Sequence, residues 1–544
     1  MSDTRRCVVI PAVKKNAVIP DQLVKRLAGV TLIQRAIDTA KALAPGDDIV
    51  VVTDSQEIAL ICERNGVRHV CNPGLHLATL DIVRELRGVL EDLARSYGHI
   101  VIYRASCPLL TADDIEDAYA TFLREGADCL VTVKSVRHRV WEKRNGGLDA
   151  LLSQDETEPS IYVESKALVM LDASALTRGE VRKVVPYFLN DRAIEINSYQ
   201  DWWICEKLLC RKHIVFVVAG YPAIGMGHIF RALMLAHEVA DHRITFLCTR
   251  ESELAASNIA ARDYRTRVQQ GDDLAADVLS LRPDLVINDI LNTDADYVGR
   301  LREAGVRVVN FEDEGPGAHL ADLVVNALYE EKVDDPRFLH GHRFFCLRDE
   351  FVNGVRNDYR DPVRCVLVTF GGTDHSDFSR GTLDAIEPLC RERGITIRLV
   401  AGPGYAHKDA MQEHVERLGS PLVEFTYATN VMSRMMEGAD LAICSAGRTV
   451  YELAHMRVPA IVMAHHEREG RHTFARGRNG FAYLGVMEHF DGAKLTRVFT
   501  QLLDAGNRRR LFDRQARFDF IRNKADVVRR ITALLDDTPA PENA

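Results

Sequence analysis

The segment His213–Ala236, HIVFVVAGYPAIGMGHIFRALMLA, leaves little choice of architecture. Ile214–Ala219 is a continuous apolar run with three valines, the mark of a strand covered on both faces. Gly220-Tyr221-Pro222 breaks that run, and Gly225-Met226-Gly227-His228 leads into Ile229, Leu233, Leu235 and Ala236 at helical spacing. A strand, a glycine turn and a helix in succession offer backbone N–H groups and the positive end of a helix to a phosphate. His228 stands where the helix begins, so a proton-transfer group lies beside an expected anion site. The segment lies well inside the chain, which predicts an independent unit before it.

A chain of 544 residues is expected to make two to four domains. Its 69 basic and 78 acidic residues give a net charge of -9, so no diffuse surface for a polyanion is expected and nucleic acid is not an expected partner. No apolar run approaches the roughly 20 residues that cross a bilayer, and MSDTRRCVVIPA enters a strand without the layout of a signal peptide. A cytoplasmic location is the expectation. The twelve cysteines are scattered without a CxxC pair, which favours reduced, buried thiols over a disulfide or zinc framework.

In chain order, Cys7–Pro11, Ile49–Val52, Gly98–Arg104 and Cys129–Val133 read as strands and Leu32–Leu43 as a helix. The loop Ala12–Lys25 carries Lys14 and Lys15, and Asp54 and Arg104 fall at strand ends, where open α/β sheets bind ligands. After Cys210-Arg211-Lys212 the pattern restarts. Arg243–Cys248, Asp284–Ile287, Val306–Phe311 and Leu323–Asn326 read as strands of a second unit, with Asp289 expected in a cleft. Cys365–Phe370, Thr396–Ala401, Leu422–Phe425, Leu441–Cys444 and Ala460–Ala464 read as those of a third, which has its own glycine turn, Gly371-Gly372-Thr373-Asp374, and a helix Val450–His455. The expected domains are 1–211, 212–360 and 361–535, with a disordered tail 536–544. All are α/β: a nucleotidyltransferase-like Rossmann sheet, then two Rossmann-like domains around a cleft.

The blocks IPA, LAG, LIQRAI, VVVTDSQEI, SCPLLTADDI and AIEINSYQDWWICEKLL, in that order over about the first 210 residues, resemble the cytidylyltransferases that activate sialic-acid-type sugars as CMP derivatives. The resemblance implies CTP and a nonulosonic acid as ligands, with Mg2+ as cofactor. The family holds the CTP phosphates through an arginine, two glycines, a serine and a lysine, where this chain has Val13, Lys14, Lys15, Asn16 and Ala17. Lys14 and Lys15 are then the local cations for the phosphates, with Asp54 and Arg104 completing the expected CTP site. Arg104 stands where the family has glutamine, and Leu110 where it has arginine. The acidic pair that binds magnesium falls on Glu195 and Asn197, one carboxylate fewer. Homo-oligomerisation through this domain is a further expectation.

From residue 213 to about 500, GMGHIFRALMLA, FEDEG, LVVNALY, FCLRDEF, VTFGGTD and CSAGRTVYELA resemble the UDP-sugar hydrolases of pseudaminic acid synthesis. These are relatives of glycosyltransferase-B enzymes such as the peptidoglycan N-acetylglucosaminyltransferase. The resemblance implies His228 as catalytic acid/base and Glu452 near the nucleotide ribose. It implies UDP-sugar contacts from Gly225, Gly227, Arg231, Asp313, Gly371, Gly372, Thr373, Ser445, Gly447, Arg448, Thr449 and His466. The family often has Asn-Gln after the strand Ala460–Ala464, where this chain has His465-His466-Glu467.

Adjacent histidines share no helix face, so His465, His466 and His472 are expected in a ligand-contacting loop rather than around a metal; no cofactor is expected for this half. The helix start is expected to keep His228 neutral and able to accept a proton. The pair Trp202-Trp203 is expected to pack on the helix that ends the first domain. The whole then reads as a bifunctional enzyme of nonulosonic acid synthesis, hydrolysing a UDP-linked acetamido or diacetamido sugar and transferring CMP from CTP to a nonulosonic acid. The alternative is a UDP-sugar-dependent glycosyltransferase joined to a non-catalytic nucleotide- or sugar-binding module.

Overall fold

The computed structural model describes residues 5–14, 18–75, 81–135, 140–144, 146–150, 162–189, 192–221, 227–330 and 333–536. The chain forms two compact units, Met1–Arg211 and Lys212–Ala544.

The first unit is built on a seven-stranded sheet in the order Val184–Phe188, Cys129–Ser135, Tyr162–Asp172, His99–Tyr103, Arg6–Ala12, Ile49–Thr53, Arg68–Cys71. All pairings are parallel except those of Tyr162–Asp172, which runs against both of its neighbours. Arg6–Ala12 shows why an unbroken apolar run marks a central strand. Val8 and Ile10 join the core on one face with Ile33 and Ile37, while Cys7 and Val9 join Ile100 and Ile102 on the other. The helix Leu32–Leu43 begins where the Thr31 hydroxyl accepts the Gln34 N–H at 3.3 Å. Of the tryptophan pair, Trp202 packs against the core, but Trp203 remains 61% exposed, so the packing expected of both holds for one.

The second unit carries two all-parallel sheets. The first runs Thr266–Val268, Arg243–Cys248, His213–Val218, Leu285–Asp289, Arg307–Phe311, Leu323–Asn326, Phe338–His340. The second runs Val423–Tyr427, Thr396–Ala401, Cys365–Thr369, Leu441–Ser445, Ala460–Ala464, Phe481–Val486. His213–Val218 is buried along its whole length, Ile214, Phe216 and Val218 facing one layer and Val215 and Val217 the other.

The division at residue 360 needs two corrections. Phe345, Leu347 and Phe351 already share a core with Tyr451, Phe474 and Phe481 of the second sheet's layer. In the other direction, the terminal helix Asn523–Asp536 returns to the first sheet. It buries Val527, Ile531 and Leu535, four residues apart and so on one helix face, in the core that holds Val309 and Phe311 of the strand Arg307–Phe311. Asp536, expected in the tail, ends that helix; the rest of the tail lies outside the described residues. No helix among the described residues is long and apolar enough to cross a membrane.

Candidate active site

His213–Val218 lies between Arg243–Cys248 and Leu285–Asp289, so its connections leave to opposite sides and a crevice opens beyond the strand ends. The helix Gly227–Glu238 starts at that crevice, and Asp289 is the last residue of the adjoining strand. This brings Nδ1 of His228 to 2.5 Å from Oδ1 of Asp289. Asp289 is 1% exposed and also accepts a fork from Arg231, Nε to Oδ2 at 2.7 Å and Nη2 to Oδ1 at 2.6 Å. Nη1 of Arg231 donates to Oε1 of Glu312 at 2.8 Å. Burial works against an ionised Asp289, but Arg231 and His228 outweigh it and bring the carboxyl down to about 2. Burial likewise pulls Arg231 down, and Asp289 and Glu312 more than compensate, holding it above its ordinary value. At Glu312 burial wins and the carboxyl is raised. With Nδ1 committed to a carboxylate, Nε2 is the nitrogen His228 has left for a substrate, an arrangement that orients a proton-transfer imidazole. The helix start is therefore only part of the setting of His228; the carboxylate beside it could not be read from the local sequence.

FEDEG contributes differently from expectation. Asp313 does not line the cleft. It is 1% exposed and accepts from Thr293 (N at 3.0 Å, Oγ1 at 2.6 Å), Asn310 (Nδ2, 2.6 Å) and Gly315 (N, 2.8 Å), which ties the loop together. Its neighbour Glu312 lines the cleft instead, its backbone in the left-handed region at a φ of 52°.

The opposite wall comes from the second sheet. Gly371 and Gly372 follow the strand Cys365–Thr369, and Ser445, Gly447, Arg448 and Thr449 follow or end its neighbour Leu441–Ser445, again where connections diverge. These residues, with Thr373, Gly227, His228, Arg231, Glu452 and His466, line one cleft of about 290 Å3. Gly225 lies outside the described residues. Arg448 donates from Nη2 to the Cys346 carbonyl at 2.9 Å and lies 4.6 Å from the Phe345 ring centre. Burial, reinforced by Arg231, lowers it to about 10, so it remains a cation at neutral pH. A Cβ at Gly227 would stand 3.2 Å from Cδ of Arg448, so glycine at the helix start admits this side chain. Glu452, expected at a ribose, lines the cleft but is forked by Arg348, Nε at 2.7 Å and Nη2 at 3.0 Å.

Sequence reasoning missed Gly402. A Cβ there would lie 2.5 Å from Gly371 O and from Gly372 Cα, so the chain after Thr396–Ala401 props the glycine turn from behind. Only backbone is in the way, and it cannot swing aside. Gly402→Ala is expected to cost about 1–3 kcal/mol of stability by overpacking, measured in urea titrations; unchanged stability would remove the propping role.

The loop after Ala460–Ala464 splits its adjacent histidines. His466 is exposed and its Nδ1 accepts the Glu469 N–H at 3.3 Å, capping the helix Glu467–Gly470. His465 is buried and stacked on Phe378 at 4.4 Å, and burial drops its ring to about 4. His472 is similarly lowered to about 4 by burial and bonds the Ala446 carbonyl at 2.8 Å. Glu469 accepts the His465 N–H at 2.8 Å, yet burial dominates and pushes its carboxyl up to about 7. Between pH 4.5 and about 7 the folded state therefore holds a proton that the unfolded state has lost, so stability falls as pH rises through that window. Glu469→Gln is expected to flatten this fall, worth about 3 kcal/mol at most, in urea titrations at pH 5 and 7.5. An unaltered slope would show that Glu469 ionises normally.

In the first unit, the expected CTP ligands are engaged with one another. Lys14 donates from its backbone N to Asp54 Oδ1 at 2.6 Å and from Nζ to Glu57 Oε2 at 2.5 Å, with Asp21 at 3.5 Å. Its charge is matched by carboxylates rather than left for a phosphate. Lys15 lies outside the described residues. Arg104 donates from Nη1 to Oε1 of Glu195 at 3.0 Å, and Asn197 Nδ2 donates to Oε2 at 3.3 Å. A divalent cation needs free carboxylate oxygens, and both oxygens of Glu195 are taken, one of them by a cation. The residues present do not fit the magnesium expected at Glu195 and Asn197. Among the described residues, no group of three or more His, Cys, Asp or Glu could hold a metal.

The two units match different families. Residues 21–195 match the MobA-like NTP transferase domain and residues 365–475 the glycosyltransferase family 28 C-terminal domain. The chain thus joins a nucleotidyltransferase-like part to a glycosyltransferase-like part. It is 25% identical over 272 residues to an uncharacterised protein of Methanocaldococcus jannaschii, covering 47% of this chain and 56% of that one. It therefore spans about half the length of that relative. It is 26% identical over 275 residues to the spore coat polysaccharide biosynthesis protein SpsG of Bacillus subtilis, covering 48% of this chain and 80% of that one. It is 29% identical over 126 residues to the 3-deoxy-manno-octulosonate cytidylyltransferase of Francisella tularensis, covering 23% and 48%. Among solved structures, MurG of Acinetobacter baumannii superposes with a TM-score of 0.44 at 14% identity, covering 59% of this chain and 99% of that one.

Proposed function

We propose that the second unit hydrolyses a UDP-linked acetamido or diacetamido sugar to UDP and the free sugar, with His228 as the acid/base. The observation that carries this reading is the His228–Asp289 contact at 2.5 Å beside two loops suited to a diphosphate. Nε2 of His228 takes a proton from water as its oxygen attacks the anomeric carbon. The bond from that carbon to the phosphate oxygen breaks, and the electron pair leaves with UDP. Backbone N–H groups of the glycine turn and the Arg448 cation balance the charge that gathers on the departing phosphate. The likeness to a glycosyltransferase family 28 domain favours a second reading, in which an acceptor hydroxyl replaces water. UDP release from a panel of UDP-linked acetamido and diacetamido sugars, with no acceptor present, separates the two. Rapid turnover supports hydrolysis, and none from any donor rules it out.

For the first unit we infer a nucleotide site of cytidylyltransferase type, with CTP as its nucleotide and a nonulosonic acid as the sugar. The engagement of Lys14 by Glu57 and of Arg104 by Glu195 favours a module that holds these ligands without turning them over. Pyrophosphate release from CTP and a nonulosonic acid tests this; steady release would restore the transferase reading. The match to a spore coat polysaccharide biosynthesis protein supports a place for the whole chain in the making of surface sugars.

A further inference from the structure

We propose that Arg104 is a built-in cation that replaces the divalent metal in the first unit, so that this unit takes up a nucleoside triphosphate without magnesium. The proposal rests on the reading of that unit as a nucleotide site. Arg104 lies just beyond the strand His99–Tyr103, and the chain returns to it at Glu195, 91 residues later. The two side chains are only 13% and 16% exposed, so their attraction is weakly screened by solvent. Nη1 of Arg104 faces Oε1 of Glu195 at 3.0 Å, the Ser106 hydroxyl lies 3.5 Å from the same oxygen, and Asn197 donates to the other.

Each contact presents a donor to Glu195, which a cation site does not do: around Mg2+ the neighbours must turn oxygens inward. Asn197, standing where a second carboxylate is expected, turns its amide N–H toward Glu195. An arginine stays charged at any physiological pH and keeps donors beyond the one it spends here. It can therefore meet a phosphate while remaining on its carboxylate. To bind there, a metal ion would have to expel a guanidinium that is only 13% exposed and leave it without its counter-charge.

The test is a Mn2+ titration of the full chain followed by electron paramagnetic resonance. Arg104→Gln frees Glu195 and is expected to bind Mn2+ at least about tenfold more tightly than the wild type. Adding Glu195→Gln should remove that gain, and Arg104→Lys, which keeps a cation in place, should behave as wild type. Equal Mn2+ affinity in the wild type and Arg104→Gln, whether tight or absent, would overturn the proposal. If Arg104→Gln does not fold, calorimetry of CTP on the wild type decides: affinities with EDTA and with Mg2+ should agree within about twofold, and a tenfold or greater tightening by Mg2+ would overturn it. Absence of CTP binding under both conditions would instead remove the nucleotide reading, an outcome separate from the Mn2+ comparison.

Discussion

His228→Ala is expected to slow acceptor-free UDP release by at least about a hundredfold, the usual scale for a general acid/base and equivalent to about 2.7 kcal/mol of barrier. The side chain is largely covered but stands at the cleft, and its removal breaks one contact of Asp289 while leaving the Arg231 fork in place. Melting behaviour should therefore stay close to wild type. Asp289→Asn is the sharper companion. It preserves shape but presents His228 and Arg231 with an amide in place of a carboxylate, so the imidazole loses the partner that fixes its tautomer. The loss should fall on kcat, with KM nearly unmoved, because a group that acts on the proton in flight contributes little to ground-state binding. If both variants keep activity within about fivefold of wild type, proton transfer at this histidine is not part of the barrier.

What could be read from the sequence follows from where information sits along a chain. Strands covered on both faces announce themselves as apolar runs, and Arg243–Cys248, Leu323–Asn326, Thr396–Ala401 and Ala460–Ala464 have the bounds their composition predicts. Tyr162–Asp172 did not, because its first three residues are exposed and only its second half carries a buried run. Phe481–Val486 was hidden by Gly485, held at a φ of 96° within the strand. The glycine and serine loops of the cleft were legible since they sit at strand ends, a local feature. Their partners were not. Arg231 meets Asp289 across 58 positions and Glu312 across 81, and each of these reads alone as an ordinary charge. Glu312, which the sequence reading did not name, lines the cleft while Asp313 ties the loop, and the left-handed turn at Glu312 is a backbone feature that strand alternation does not reveal. The return of Asn523–Asp536 to the first sheet was equally beyond reach, because helical periodicity reveals an apolar face but not what covers it.

Arg231→Met is expected to destabilise the second unit by about 3–5 kcal/mol, the range for removing one partner of a buried ion pair. Arg231, Asp289 and Glu312 are 2%, 1% and 3% exposed, so the two carboxyls left behind lose their shared cation with little water to replace it, Asp289 keeping only His228. The pH dependence carries the sign of the cause. In the wild type, the depressed Asp289 stabilises the fold fully above its ordinary 3.8, and this contribution is lost as pH falls through about 2. Without Arg231 the buried carboxyls favour their protonated forms, so the folded variant takes up protons that the unfolded chain releases, and acidification from pH 7 to 5 should narrow its gap to wild type. Far-UV circular dichroism in urea measures the gap. The three tryptophans, Trp141, Trp202 and Trp203, all lie in the first unit, so their fluorescence provides an internal reference that should not shift. A gap below about 1 kcal/mol at pH 7, or one that widens on acidification, would mean that the carboxyls are already relieved by water and that Arg231 positions Asp289 without holding the layer together.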